Sequence, residues 1–242
     1  HEYERDVLRY EAGLEVLGWD PATQGNYQVT VLEQMINECL IVQAAESLGY
    51  KLEDSKLEAA LDESVAARGG AAGFNEWLEL NKYTREEFLG DFHDQLLSSM
   101  VQEDIVSKVP QRAEQVRARH ILVATLDEAY GLIEEIDAGA DFATLAIKHS
   151  LDHSTRINGG DLGWFPRGFL TVPKLELAAF TQELNERSGV ISTFLGFHLL
   201  ETLDRDPDRP LSPEAYLRLQ QDAVEDWLVE LRDQAIIERY IP

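Results

Sequence analysis

The 242-residue chain holds one cysteine, Cys39, so no disulfide can close within it. A lone thiol does not decide the redox compartment. It lies in an apolar stretch with Ile36, Leu40 and Ile41 and is expected to pack in a core rather than to act as a nucleophile. Basic residues are scarce: 21 Lys and Arg stand against 45 Asp and Glu, a formal net charge of -24. A surface this acidic repels phosphate backbones and anionic lipid, which excludes nucleic acid as a partner. The charge serves solubility, and it would also keep a sticky client-binding surface dispersed. No run of about 18 apolar residues exists, so no helical membrane span is expected. No signal peptide opens the chain either. It starts with His1-Glu2-Tyr3-Glu4 in helix-like sequence, which leaves room for an export signal or membrane anchor upstream.

What is present in the first half is helical periodicity. Val7, Leu8, Leu14 and Leu17 sit among charges over residues 3–17, and Val31, Leu32, Met35, Ile36, Leu40, Ile41 and Ala44 recur at helical spacing over 29–48. Gly49 is placed to stop that helix, and Asp54 or Ser55 to open the next, with Leu57 and Leu61 inward. Gly69-Gly70 and Gly73 predict a flexible break before a short helix over Phe74–Leu80. Thr84 with Glu87 three residues later has the form of a capping box, and the helix it opens runs through Phe88, Phe92, Leu96, Leu97 and Met100. No long apolar–polar alternation occurs before Pro110, so the first half is expected to be all-helical.

The texture changes at Val116. Arg117–Val123 reads as a strand, Leu126–Ala138 and Phe142–His149 as helices, Asp161–Phe165 as a strand, Lys174–Phe180 as a helix, and Val190–Thr193 and His198–Leu203 as strands. Asp206-Pro207-Asp208-Arg209-Pro210 reads as a rigid polar linker. Ser212 and Pro213 then open a last helix with Leu217, Val224, Trp227, Leu228 and Leu231 on its apolar side.

Four blocks carry more than periodicity. They are Arg119-His120-Ile121-Leu122-Val123, Gly139-Ala140-Asp141-Phe142-Ala143-Thr144-Leu145-Ala146, Asn158-Gly159-Gly160-Asp161-Leu162-Gly163-Trp164-Phe165 and Gly196-Phe197-His198-Leu199-Leu200. In this order and spacing, within residues 116–204, the chain resembles the parvulin-type peptidyl-prolyl cis/trans isomerases. The Gly-Gly-Asp-Leu-Gly-Trp-Phe run is the most specific of them. Residues 27–106 resemble the helical N-terminal domain of SurA- and PrsA-like foldases, in which a C-terminal helix completes that domain; Pro213–Ile241 matches it. The resemblance implies an α+β protein with a helical chaperone-like domain over 1–110, a parvulin domain over 114–206 with a small, mainly antiparallel four-stranded sheet, and a helix in 211–242 packed back on the helical domain.

The resemblance also implies roles. His120 and His198 match the two inward-facing histidines of the parvulin site, Asp152 the position held by cysteine in some members and aspartate in others, and Thr193 the nearby hydroxyl. Leu162, Phe165, Leu170, Leu175 and Phe180 match the apolar walls around the proline ring. Asp152 would then tune the electrostatics beside the carbonyl while the histidines, bonded to each other and to Thr193, hold the floor. The same histidines can equally serve the fold, and an aspartate in a polar loop can cap a turn. Ala124-Thr125-Leu126-Asp127 carries no base, so a phosphate-selective site is not expected. His153-Ser154-Thr155-Arg156 departs from the Pro-Gly-Ser-Ala often found in that loop; Leu195, and Thr171-Val172-Pro173-Lys174, depart as well.

The implied activity is X-Pro isomerisation in unfolded or proline-containing polypeptides outside the cytoplasm, with no cofactor. The alternative is a holdase whose parvulin domain is weak or inactive. A metal site is not expected: His93 and Asp94 are adjacent on a helix, a spacing that predicts divergence. His1, His149 and His153 are scattered, and no Ser-His-Asp order indicates a hydrolase.

Overall fold

The computed structural model describes residues 2–240. His1, Ile241 and Pro242, the first named above among scattered histidines and the others in the C-terminal stretch, lie outside the described residues. The chain divides into two units: residues up to Lys108 with those from Ala223 onward, and Val109–Asp222.

The first unit is helical: α1 (Glu2–Val16), α2 (Tyr27–Ser47), α3 (Asp54–Ala67), α4 (Gly70–Leu80) and α5 (Arg85–Ser107), joined by the second half of α9 (Pro213–Gln234). Thr84 and Glu87 close the capping box that starts α5: Thr84 Oγ1 accepts from the Glu87 N–H at 3.2 Å, and a Glu87 carboxylate oxygen accepts from the Thr84 N–H at 3.0 Å. Ala45, Leu97 and Val101 form one small core, on which Trp227 of α9 packs. Phe74, Leu78 and Phe88 form another, with Trp77, Tyr83 and Phe92 against it. Arg232 of α9 bonds Glu33 and Asn37 of α2, and Arg239 beyond the helix reaches Glu33 at 2.9 Å. The glycine break is narrower than its composition predicts. α4 already begins at Gly70, and a Cβ at Gly73 would lie 1.9 Å from the Arg68 carbonyl, so that glycine permits a tight turn between two helices. Cys39 is exposed, off the side of α2 that carries buried Val31, Ile41 and Ala45. The core position expected for it is thus corrected.

The second unit is built on β1 (Arg112–Val123), β2 (Asp161–Pro166), β3 (Ile191–Thr193) and β4 (Gly196–Pro210), an antiparallel sheet in the order β2-β1-β4-β3. The polar linker expected over Asp206–Pro210 is instead the end of β4, where Ala113 pairs with Arg209 and Arg112 with Pro210. Gln115 Nε2 donates to the Arg209 and Pro210 carbonyls at 2.9 and 3.0 Å. Proline survives here because β3 covers only the start of β4, so this stretch is an edge whose outward side needs no N–H, and a register shift between Ala113 and Gln115 absorbs the irregularity.

Alternate residues of the central strands feed two cores. Val116, Ala118 and Leu200 meet Phe165, Val172, Leu175, Ala179 and Phe180 under α8 (Pro173–Thr181). Ile121, Val123 and Leu199 meet residues of α6 (Leu126–Asp137) and α7 (Phe142–His149). Both helices open on side-chain caps, a Thr125–Glu128 capping box for α6 and Asp141, accepting from the Thr144 N–H at 2.8 Å, for α7. By this period of two, His120 and His198 belong to the α8 face.

Candidate active site

β1 pairs with β2 only as far as Arg119. Past that point the loop after α7 lies along β1: the Leu151 N–H donates to the Leu122 carbonyl at 2.7 Å, and the Leu122 N–H donates to Ser150 Oγ at 3.2 Å. This brings Asp152 to His120. On the other side, Leu122 pairs with His198 and His120 with Leu200, which makes the two histidines diagonal neighbours on one face.

The side chains form a continuous line. Asp152 Oδ2 lies 2.7 Å from His120 Nε2, His120 Nδ1 lies 3.3 Å from His198 Nδ1, and His198 Nε2 lies 2.9 Å from Thr193 Oγ1. The imidazoles stack with 17° between their planes. With both rings neutral the donors have one consistent direction. A carboxylate only accepts, so His120 carries its proton on Nε2. His120 Nδ1 then accepts from His198 Nδ1–H, and His198 Nε2 accepts from the Thr193 hydroxyl. Thr193 Oγ1 in turn accepts from the Leu195 N–H at 3.1 Å.

Asp152 is held by more than His120. Its Oδ1 accepts from the Ser154 N–H at 3.0 Å and the Ser154 hydroxyl at 2.6 Å, and its Oδ2 accepts from the Thr155 hydroxyl at 2.5 Å. Burial alone would raise the carboxyl, but the hydrogen bonds from Ser154, Thr155 and His120 outweigh it and hold the group well below the usual carboxylate range. Asp152 is therefore a fixed negative charge with its acceptor sites occupied, poorly suited to act as base or nucleophile. Ser154 and Thr155 fell outside the expected site because they belong to the loop that departs from the family pattern. The Asp-x-Ser-Thr order, able to fold into an Asx-type turn, was the signal in the sequence.

Burial pushes the His198 imidazole down to about 4, an effect the neighbouring His120 adds to. His198 is 1% exposed, so it stays neutral in the folded protein while the unfolded chain takes up a proton near pH 6.5. Its contribution to stability is complete above pH 6.5 and is lost as pH falls towards 4, by about 3 kcal/mol. Asp152, shifted down, adds a further loss below its ordinary range. Relief of acidic self-repulsion works the other way in this chain, so the test is a difference. Between pH 7 and 4 the urea midpoint of the sheet, followed by the β1 amides, is expected to fall further in the native protein than in His198→Asn. Parallel profiles would refute the assignment.

The five apolar positions separate by exposure. Leu162 and Leu170 are partly buried and keep surface that a ligand can meet. Phe165 has no accessible surface, and Leu175 and Phe180 are each 4% exposed. These three point inward, Phe165 from β2 and Leu175 and Phe180 from α8, into the core they share with Val116, Ala118 and Leu200. His93 Nδ1 lies 2.9 Å from Asp94 Oδ1, so adjacent helical side chains expected to diverge do meet. Among the described residues no group of three or more His, Cys, Asp or Glu is arranged to hold a metal ion, and no helix is long and apolar enough to cross a membrane.

Residues 104–206 match the model of the PPIC-type PPIase domain. The chain carries a parvulin domain. Beyond it, the chain is 31% identical over 183 residues to a protein named Foldase protein PrsA from Caldanaerobacter subterraneus, a match covering 71% of this chain and 55% of that one. It is 36% identical over 146 residues to one named Chaperone SurA from Methylobacillus flagellatus, covering 53% of this chain and 33% of that one. The chain thus spans between a third and about half of these relatives. Crystal structures of PrsA from Bacillus cereus and Bacillus anthracis share its fold, with TM-scores of 0.57 and 0.55 at 23% and 22% identity; they cover 89% and 86% of this chain, and it covers 86% and 99% of theirs. The line from Asp152 to Thr193 lies wholly within the matched residues.

Proposed function

We propose that this chain is a foldase that speeds rotation about X-Pro bonds in polypeptide clients outside the cytoplasm. The observation that carries the reading is the unbroken hydrogen-bonded line Asp152–His120–His198–Thr193 on the face that also holds Leu162 and Leu170. Amide rotation has a barrier of ~18–20 kcal/mol because the nitrogen lone pair is shared with the carbonyl. X-Pro bonds occupy both isomers yet exchange over tens of seconds or longer. Nothing has to be bonded or broken, so a catalyst needs only to favour the twisted amide over the planar one. A prolyl ring seated on Leu162 and Leu170 leaves the water that stabilises the polar planar form. The immobile carboxylate of Asp152 beside the carbonyl disfavours the charge-separated resonance form, whose oxygen carries extra negative charge. The histidines and Thr193 keep that charge in place, and no cofactor enters.

A second reading rests on Val16, Leu17 and Trp19, which are exposed together at the end of α1. Apolar side chains so close in the chain and left in water suit the capture of unfolded chains by the helical unit. The export implied by kinship with SurA- and PrsA-like foldases is tested by fractionating cells that express the full gene. The activity is tested on an unphosphorylated proline tetrapeptide, next to an aggregation-suppression assay. Acceleration of cis-to-trans exchange supports the foldase; suppression with no acceleration leaves the holdase alone.

A further inference from the structure

We propose that Thr155 is a positioning residue for the Asp152–His120 pair. Its hydroxyl lies 2.5 Å from Asp152 Oδ2 and 3.2 Å from His120 Nε2, so it touches both partners of the contact that begins the line. Oδ2 is the oxygen that His120 uses, whereas Ser154 binds only Oδ1. The Thr155 backbone is fixed as well. Its carbonyl accepts from the Gly160 N–H at 3.0 Å, and the Gly160 carbonyl accepts from the His120 N–H at 2.9 Å. Thr155 therefore joins the loop to β1 through its main chain and the carboxylate to the imidazole through its side chain. A β-branched side chain has restricted χ1, whereas the terminal torsion of a carboxylate is broad. The stiff hydroxyl supplies the constraint that the carboxylate lacks. Without it, Oδ2 keeps His120 alone, the carboxylate swings about the Ser154 bonds, and the histidine loses the fixed acceptor that holds its proton on Nε2.

The test pairs Thr155→Val, which removes the hydroxyl at nearly constant shape, with Thr155→Ser, which keeps it. The inference rests on the isomerase reading, so one readout is independent of activity: the carboxyl carbon of Asp152 titrated by NMR. In Thr155→Val its midpoint is expected to rise by at least about one unit, and kcat on the tetrapeptide to fall about tenfold with KM little changed. Thr155→Ser is expected to restore both. An unmoved titration overturns the proposal, as does a moved titration with unchanged kcat, or a serine variant that behaves like valine. Should the native protein show no isomerisation, the foldase reading fails while the titration still decides whether Thr155 sets the carboxylate.

Discussion

Replacing Asp152 by alanine is expected to slow isomerisation of a proline tetrapeptide about a hundredfold while aggregation suppression is unchanged. The size follows from what removal of one preorganised electrostatic group costs at a site of this kind. In the native protein the carboxylate takes donors from the Ser154 N–H, the Ser154 and Thr155 hydroxyls and His120 Nε2, so its position and charge are set before a client arrives. Asp152→Asn separates the two properties. Its amide has nearly the same shape, and its one oxygen, placed where Oδ2 stood, still accepts from His120 and Thr155, but it carries no charge and turns its NH2 towards the Ser154 donors. If the negative charge is what disfavours the planar amide, the asparagine variant is as slow as the alanine variant. If the carboxylate only braces His120, asparagine recovers much of the rate. Circular dichroism and the urea midpoint of each variant show whether the sheet is intact, since deletion of the acceptor strands several partly buried donors. Full activity in Asp152→Ala would remove Asp152 from the mechanism.

Much of the fold was legible because its signals are local. The Thr84–Glu87 box and the Asp141 cap are written in consecutive residues, and α5 and α7 begin where those residues place them. The four-stranded antiparallel sheet followed from motif order. What stayed hidden depends on neighbours distant in sequence. The stretch from Asp206 to Pro210 has linker composition, and only the presence of β1 on one side and the lack of β3 on the other makes it an edge strand. Cys39 has apolar neighbours, but which side of α2 faces the core is decided by the helices packed against it. At the site, His120, His198, Asp152 and Thr193 were placed by family motifs, and the structure brings them into one line. Phe165, Leu175 and Phe180 matched the same motifs yet are buried between α8 and the sheet, because an apolar residue in a motif does not reveal whether it faces a ligand or the layer beneath. Ser154 and Thr155 were missed for the opposite reason: they depart from the pattern, and their value lies in hydroxyl geometry within a turn.

Gly160→Ala is expected to cost the sheet-bearing unit more than about 4 kcal/mol, enough to leave it largely unfolded at 37 °C. Gly160 has φ +81°, where a side chain is strained, and a Cβ there would lie 2.1 Å from the His120 carbonyl oxygen and 3.1 Å from its carbonyl carbon. Both atoms belong to the backbone of the central strand, which pairs with β4 and is held again by the His120 N–H donating to the Gly160 carbonyl. The overlap cannot be relieved by turning a side chain, so either the loop leaves β1 or β1 leaves β4. Gly163 supplies the control. Its φ is +71°, but a Cβ there meets nothing within 4 Å, so Gly163→Ala carries the conformational strain without the collision. That strain is of order 1–2 kcal/mol. The difference between the two variants in urea unfolding thus isolates close approach from backbone conformation. It also bears on chemistry, because any shift of the His120 backbone moves the imidazole away from Asp152 and His198. Destabilisation of Gly160→Ala to within about 1 kcal/mol of Gly163→Ala would mean that the contact between loop and strand is looser than 2.1 Å implies. The rigid floor on which the proposed isomerase mechanism depends would then be lost.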